Sequence, residues 1–151
     1  MPMRLGSERP ELTGATQWFH EDQLPADLSD KYVLVHFWAV SCHICHETMN
    51  DLIKYRDQYK EHGLQLVGVH FPRYEADTNI DKVQEDIAKY GITHPVAIDN
   101  LHKMAESFQN EYVPAFFLFD KEGKLFFRTA GDRGFEKLQP KIEQVLGLTQ
   151  A

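Results

Sequence analysis

The chain has two cysteines, Cys42 and Cys45, three positions apart in the stretch "SCHICHETM", Ser41–Met49. Three chemistries use residues of these types at this spacing. The bare pair is the spacing of a redox dithiol, which makes and breaks one disulfide. Together with His46 it spells C-x-x-C-H, the attachment motif of a c-type haem. With His43 as well, four potential metal ligands fall within five positions, and imidazole and thiolate are the donors of zinc and copper sites.

The elements that must position these residues begin to separate the readings. "KYVLVHFWAV", Lys31–Val40, is a nearly continuous apolar run, the pattern of a strand buried on both faces. "LQLVGVHF", Leu64–Phe71, is a second such run. Between them Met49, Leu52, Ile53, Tyr55 and Tyr59 fall near helical spacing, and Gly63 stands where a helix should stop. A strand, helix, strand unit predicts parallel strands with a right-handed crossover.

Cys42 therefore falls directly after a buried strand at the start of a helix, with Cys45 one turn further in. Free backbone N–H groups and the positive end of the helix dipole favour an anion there, and a thiolate is the anion that attacks a disulfide. A helix terminus supplies up to about 2 kcal/mol, enough to lower a thiol from ~8.5 to ~7. His43 adds to this only when protonated, roughly a quarter of the time at pH 7. The expectation is a mildly acidic Cys42.

The second half of the chain continues the alternation. After Asp77 and Thr78 as capping residues, Ile80, Val83, Ile87 and Tyr90 mark a helix that ends at Gly91. "HPVAID" reads as a short strand and "LHKMAESFQNEY" as a helix, with Asp99 and His102 as turn or cap residues before it. "PAFFLF" and "KLFFRTA" flank "DKEG" as an antiparallel hairpin. A last helix spans roughly Phe135 to Leu146, with Pro140 expected to kink it or force a break near residue 136. Trp18, Phe19 and the aromatics of the hairpin are expected on the two faces of the sheet. The result is one α/β layered domain with a mixed sheet.

Haem and metal fit this frame less well. Haem is attached outside the cytosol to small helical domains, whereas here the motif hangs on a buried strand. A zinc site wants four ligands, and helical neighbours differ in direction by about 100°, so five consecutive positions cannot converge on one ion. His70, His94 or His102 would have to fold close to complete a site, so delivery of copper or zinc stays open as the alternative. For each of these histidines the plainer reading is a surface or loop residue with a polar tip.

Composition excludes other classes. At 151 residues with 42% hydrophobic and 26% charged residues, the chain suits one domain that folds without staple or metal. Its net charge of −7 and lack of a Lys or Arg block argue against nucleic acid and anionic membranes as partners. The start "MPMRLGSERPELTG" holds no apolar run of a signal peptide, and no stretch approaches the ~18 apolar residues of a membrane span. A cytoplasmic location is expected, where a cysteine pair is catalytic or metal-binding rather than a structural staple.

"VLVHFWAVSCHIC", then an amphipathic helix, then "LQLVGVHF" and "YVPAFFLFDKEGKL", resembles the thioredoxin superfamily. The extra helix and strand between about Asp77 and Asp99 make the chain more similar to its TlpA and ResA-like thiol-disulfide oxidoreductases. The resemblance covers roughly Gly14 to Leu148, leaving residues 1–13 as an N-terminal extension to a domain of residues 14–151. It implies a thioredoxin-like fold, a central mixed sheet flanked by helices with a helix-strand insertion. It also implies that Cys42 is the exposed nucleophile and Cys45 the buried resolving thiol. Val113 and Pro114 match the pair whose bond is cis, with Pro114 against the dithiol and the Val113 backbone pairing with an extended substrate. Without the resemblance, a trans proline opening an edge strand is the plainer reading.

Three departures stand out. Thioredoxin has a buried Asp where this chain has His36, which either relays the proton of Cys45 or is a satisfied core histidine. ResA-like proteins carry a Glu three residues after the second cysteine; here that position is Thr48, and Glu47 comes one place early, about 100° around the helix. The plainer reading of Glu47 is an acid complementing the helix dipole. Ser41 replaces the Trp before the first cysteine and removes an apolar shoulder, so the surface offered to partners by Ser41 and His43 differs. Trp38 falls where the family has a packing tryptophan. The expected activity is protein dithiol-disulfide exchange, in the reducing direction, with protein disulfides as substrates, an upstream dithiol as electron donor and no cofactor beyond the redox-active disulfide, carried out by a monomer; the alternatives are a copper or zinc carrier and a thioredoxin-like module that binds partners through the same dithiol without turnover.

Overall fold

The computed structural model describes residues 3–148. In chain order it runs β1 (Gln17–Phe19), β2 (Tyr32–Trp38), α1 (His43–Tyr59), β3 (Leu64–His70), α2 (Ile80–Tyr90), β4 (Val96–Ile98), α3 (Lys103–Ser107), β5 (Ala115–Phe119), β6 (Leu125–Ala130), α4 (Gly131–Phe135) and α5 (Leu138–Val145). The strands form one six-stranded sheet in the order β1-β4-β3-β2-β5-β6. β2 and β3 pair in parallel from Tyr32 opposite Leu64 to Trp38 opposite His70, and β4 joins β3 in parallel. β5 runs antiparallel to β2, β6 to β5 and β1 to β4. This is the expected mixed-sheet architecture, with α2 and β4 as the inserted helix and strand.

Side chains alternate across the sheet, so each central strand serves two cores. Leu34, Trp38, Leu66, Phe116 and Leu118 face Met49 and Leu52 of α1, Val83 of α2, and Leu138 and Ile142 of α5. Val33, Val35, Phe37, Val67, Val69 and Phe117 face Met104, Ala105 and Phe108. On that side Phe37, Phe108 and Phe117 meet edge-on with centroids 5.3 to 5.6 Å apart, the arrangement that ring quadrupoles favour. Coverage on both faces is why β2 and β3 read as unbroken apolar runs. Two large side chains of the neighbouring strand β2 explain Gly68: a Cβ there would lie 3.0 Å from His36 Nε2 and 3.2 Å from the Trp38 ring.

Local chemistry shifts several boundaries. α2 starts on Asn79, whose side chain accepts the Asp81 N–H at 2.9 Å, rather than on Asp77 or Thr78; Asp77 is engaged elsewhere. The helix expected over "LHKMAESFQNEY" is reduced to the five residues of α3. The buried Asp99 carboxylate accepts from Met104 N–H and Ala105 N–H at 2.9 Å each, which satisfies first-turn donors as a cap should. Beyond α3, Gln109 turns left-handed at φ 52°, and Asn110 bonds the Tyr112 backbone, the local competition that makes Asn a poor helix former. The last helix is two helices with the break at residues 136 and 137. Pro140 sits in the first turn of α5, where its missing N–H has no intrahelical partner to lose.

β1 was not expected as a strand; its Phe19 packs against one core and its Trp18 against the other. The described part of the N-terminal extension, residues 3–13, meets the β5–β6 turn, with Leu125 N–H bonding Ser7 O at 2.8 Å and Arg9 N–H bonding Gly123 O at 2.7 Å. Met3 is buried in the second core.

Candidate active site

β2 ends at Trp38, and four residues later the chain reaches Cys42 at the N-cap of α1. Cys42 has extended backbone angles, and its Sγ accepts the Cys45 N–H at 3.1 Å. The sulfur thus occupies one of the free donors that every helix start leaves open. Cys45, one turn in, is bonded to Cys42 as a disulfide. The expected exposure of Cys42 is not found in this oxidised form: Cys42 is 3% and Cys45 1% exposed. The Cys42 sulfur is turned inward onto α1 and its partner, and both cysteines belong to the core cluster under the sheet face. The Val113–Pro114 bond is cis. Val113 packs against the cluster that holds both cysteines, and Pro114 O accepts the Gly131 N–H at 3.0 Å.

The rim is polar. Ser41 donates its hydroxyl to Asp77 Oδ2 at 2.7 Å, and Arg73 donates to Ser41 O at 2.8 Å and to Ser41 Oγ at 3.1 Å. His43 and Glu47 pair with each other at 2.8 Å on the exposed side of α1. Glu47 lies beyond the first turn and so does not complement the helix start, and its carboxylate is directed to His43. Thr48, at the position where ResA-like proteins carry Glu, is buried and donates to the Ile44 and Cys45 carbonyls at 3.2 Å.

Two buried histidines meet beside Trp38. His36 Nε2 meets His94 Nε2 at 2.8 Å, and His94 Nδ1 meets Arg56 Nη1 at 3.3 Å. A guanidinium only donates, so His94 Nδ1 accepts, His94 Nε2 carries the proton and donates to His36 Nε2, and the His36 proton sits on Nδ1. Burial, and secondarily the Arg56 charge, push the His36 pKa down to about 3. Burial, then His36 and Arg56, hold His94 well below the ordinary range.

Two further contacts tie the insertion to the site. Asp86 of α2 accepts from Trp38 Nε1 at 3.2 Å and from His46 Nε2 at 2.7 Å, and His46 stacks on Tyr90 at 5.3 Å. His46 is thereby tied to the insertion. His70 Nε2 accepts the Val40 N–H at 3.1 Å, pinning the loop that leads into Cys42. Its proton must then be on Nδ1, which has no partner. Burial lowers the His70 pKa to about 4, opposed in part by Asp77 and Asp86.

Asp77, Asp86, Arg56 and Arg73 were not singled out from the sequence for site roles. One signal was present for Asp86: it follows Val83 by three positions, which puts a carboxylate on the buried stripe of α2. Among the described residues, no group of three or more His, Cys, Asp or Glu side chains is placed to hold a metal ion; His70, His94 and His102 are engaged with Val40, His36 and the Pro72 carbonyl respectively.

The site and fold define a thioredoxin-like dithiol protein, and comparison with known proteins agrees. The model of the AhpC/TSA family matches residues 5–128. The chain is 39% identical to the thiol-disulfide oxidoreductase YkuV of Bacillus subtilis, over 98% of this chain and 100% of that protein. It is 27% identical to the thiol-disulfide oxidoreductase ResA of Bacillus anthracis, over 95% of this chain and 79% of that one. A thioredoxin-like protein solved in the oxidised form superposes with a TM-score of 0.85 at 38% identity, covering 98% of this chain and 100% of the other. The chain belongs to the AhpC/TSA family. Its Cys42–Cys45 pair is the redox-active dithiol of a thiol-disulfide oxidoreductase with the thioredoxin-like fold.

Proposed function

We propose that the chain reduces disulfides of other proteins, with Cys42 as nucleophile and Cys45 as resolving thiol. The observation that carries the assignment of roles is the Cys42 sulfur on the Cys45 N–H at the start of α1, since that donor and the helix dipole stabilise a thiolate at position 42. The Cys42 thiolate attacks one sulfur of a substrate disulfide, and the other substrate sulfur leaves as a thiolate. Cys45, on losing its proton, attacks Cys42 Sγ and displaces the second substrate sulfur. Two electrons pass to the substrate, the Cys42–Cys45 disulfide closes, and an upstream dithiol restores the pair. The backbone at Val113, before the cis Pro114, offers an extended substrate strand a pairing partner beside the dithiol. A reducing compartment such as the cytosol goes with this direction.

Insulin reduction with dithiothreitol as donor tests the reading. Wild type is expected to accelerate it, and Cys42→Ser to abolish the acceleration. Stoichiometric copper or zinc binding without turnover would support a metal carrier instead.

A further inference from the structure

We infer that Arg73 is a recognition group for substrate, and that it selects protein disulfides flanked by acidic side chains. The inference rests on the reductase reading above and adds a substrate class to it. Ser41, the residue covalently before Cys42, carries the Arg73 guanidinium. Nη2 donates to Ser41 O at 2.8 Å and to Ser41 Oγ at 3.1 Å, and Nε approaches Ser41 Oγ at 3.3 Å. The underside is fixed as well. Asp77, 2% exposed, accepts on one carboxylate oxygen from Ser41 Oγ at 2.7 Å, Arg73 N–H at 2.9 Å and Tyr74 N–H at 3.3 Å.

The guanidinium is fixed through the neutral oxygens of Ser41, with the Asp77 carboxylate bonded to Ser41 Oγ rather than to the guanidinium itself. Arg73 takes part in no ion pair among the described residues, and the nearby acid faces Ser41 and the backbone. Only Nε and Nη2 are used, so both Nη1 donors remain for a ligand, and a planar guanidinium with a free edge suits a carboxylate. On a chain of net charge −7, a fixed unpaired arginine one residue from the nucleophile is a local reversal of sign. Exposed apolar side chains are at hand for a polypeptide: Tyr74, 63% exposed, lies under the guanidinium at 5.4 Å, and next in sequence to the site residues Ile44, between the cysteines, is 37% exposed and Tyr112, before Val113, 66% exposed. The shoulder that a tryptophan gives thioredoxin is here a serine carrying an arginine, and the occupant that complements it is an extended segment with Asp or Glu beside its disulfide cysteine.

The test uses two cyclic disulfide peptides, identical except that Asp or Lys flanks one cysteine on both sides. Each is reduced by the dithiol form of the protein in a single turnover, and each rate is divided by the rate at which dithiothreitol reduces the same peptide. Wild type is expected to favour the Asp peptide about tenfold, the scale of one good hydrogen-bonded charge contact, and to lose most of that preference in 1 M salt. Arg73→Gln should bring the ratio to about one and Arg73→Glu should invert it; because each ratio is internal to one variant, a change in overall activity does not affect it. A wild-type ratio near one, or a preference that survives Arg73→Gln, overturns the inference and leaves the reductase reading intact. Failure of wild type to reduce either peptide overturns both.

Discussion

At the scale of single residues, the site separates groups that touch the exchange from groups that hold the scaffold. Cys42 and Cys45 carry the electrons, and Cys45→Ser should leave a stable mixed disulfide between position 42 and its partners, visible as a thiol-sensitive adduct by mass spectrometry. Absence of any adduct would contradict the assignment of the resolving role. Glu47 and His43 meet at 2.8 Å on the exposed side of α1, and an exposed pair of this kind contributes no more than about 0.2–1 kcal/mol. Glu47→Gln should therefore change the insulin reduction rate by no more than about threefold; a loss beyond tenfold would give Glu47 a direct part in proton transfer. The cysteine positions and the Val113–Pro114 pair were legible in the sequence because spacing and neighbouring residues define them. The partners of Ser41, His36 and His46 were not, because Arg73, His94 and Asp86 reach them from 32 to 58 residues away.

At the scale of elements, β2 and β3 could be read directly because they are unbroken apolar runs, and α1 because it keeps a helical spacing and its segment is closed by Gly63 at a left-handed φ of 93°. α3 could not, because Asp99 and Asn110 bind backbone groups at each end and cut the helix short. β1 was hidden for a different reason: three residues are too few to show a period, and they become a strand only by pairing with β4. The insertion is joined to the active site through Asp86. Asp86→Ala leaves the buried Trp38 N–H without its acceptor, and one such loss costs about 1–3 kcal/mol; a urea midpoint shift of that size is expected, with α2 the first segment to gain hydrogen exchange. Gly68→Ala should also destabilise, by about 1–3 kcal/mol, because the new methyl presses on His36 and Trp38 in a packed core. A neutral result there would mean that the two rings move aside freely.

The whole molecule pays for its dry interior at low pH. His36 and His70 have folded-state pKa values of about 3 and about 4, and His94 is depressed as well, against about 6.5 in the unfolded chain. Above that value neither state binds these protons, and stability does not depend on pH through them. Below it the unfolded chain takes up protons that the native state refuses, so stability falls as pH drops. Each histidine contributes up to about 1.4 kcal/mol per pH unit until its own folded pKa is reached. Urea midpoints should decline steadily from pH 7 to pH 5, and a flat profile would contradict the neutral buried cluster. Composition and strand order were enough to foresee an α/β mixed sheet, but not this cluster, since isolated histidines in a sequence do not reveal which of them will meet. The central claim, a thiolate stabilised at the start of α1, is tested most directly by the pH dependence of alkylation of the reduced protein, with the modified cysteine identified by mass spectrometry. Cys42 is expected to react first with an apparent pKa of about 7; a value at or above the ~8.5 of a free thiol, or modification of Cys45 before Cys42, would contradict it.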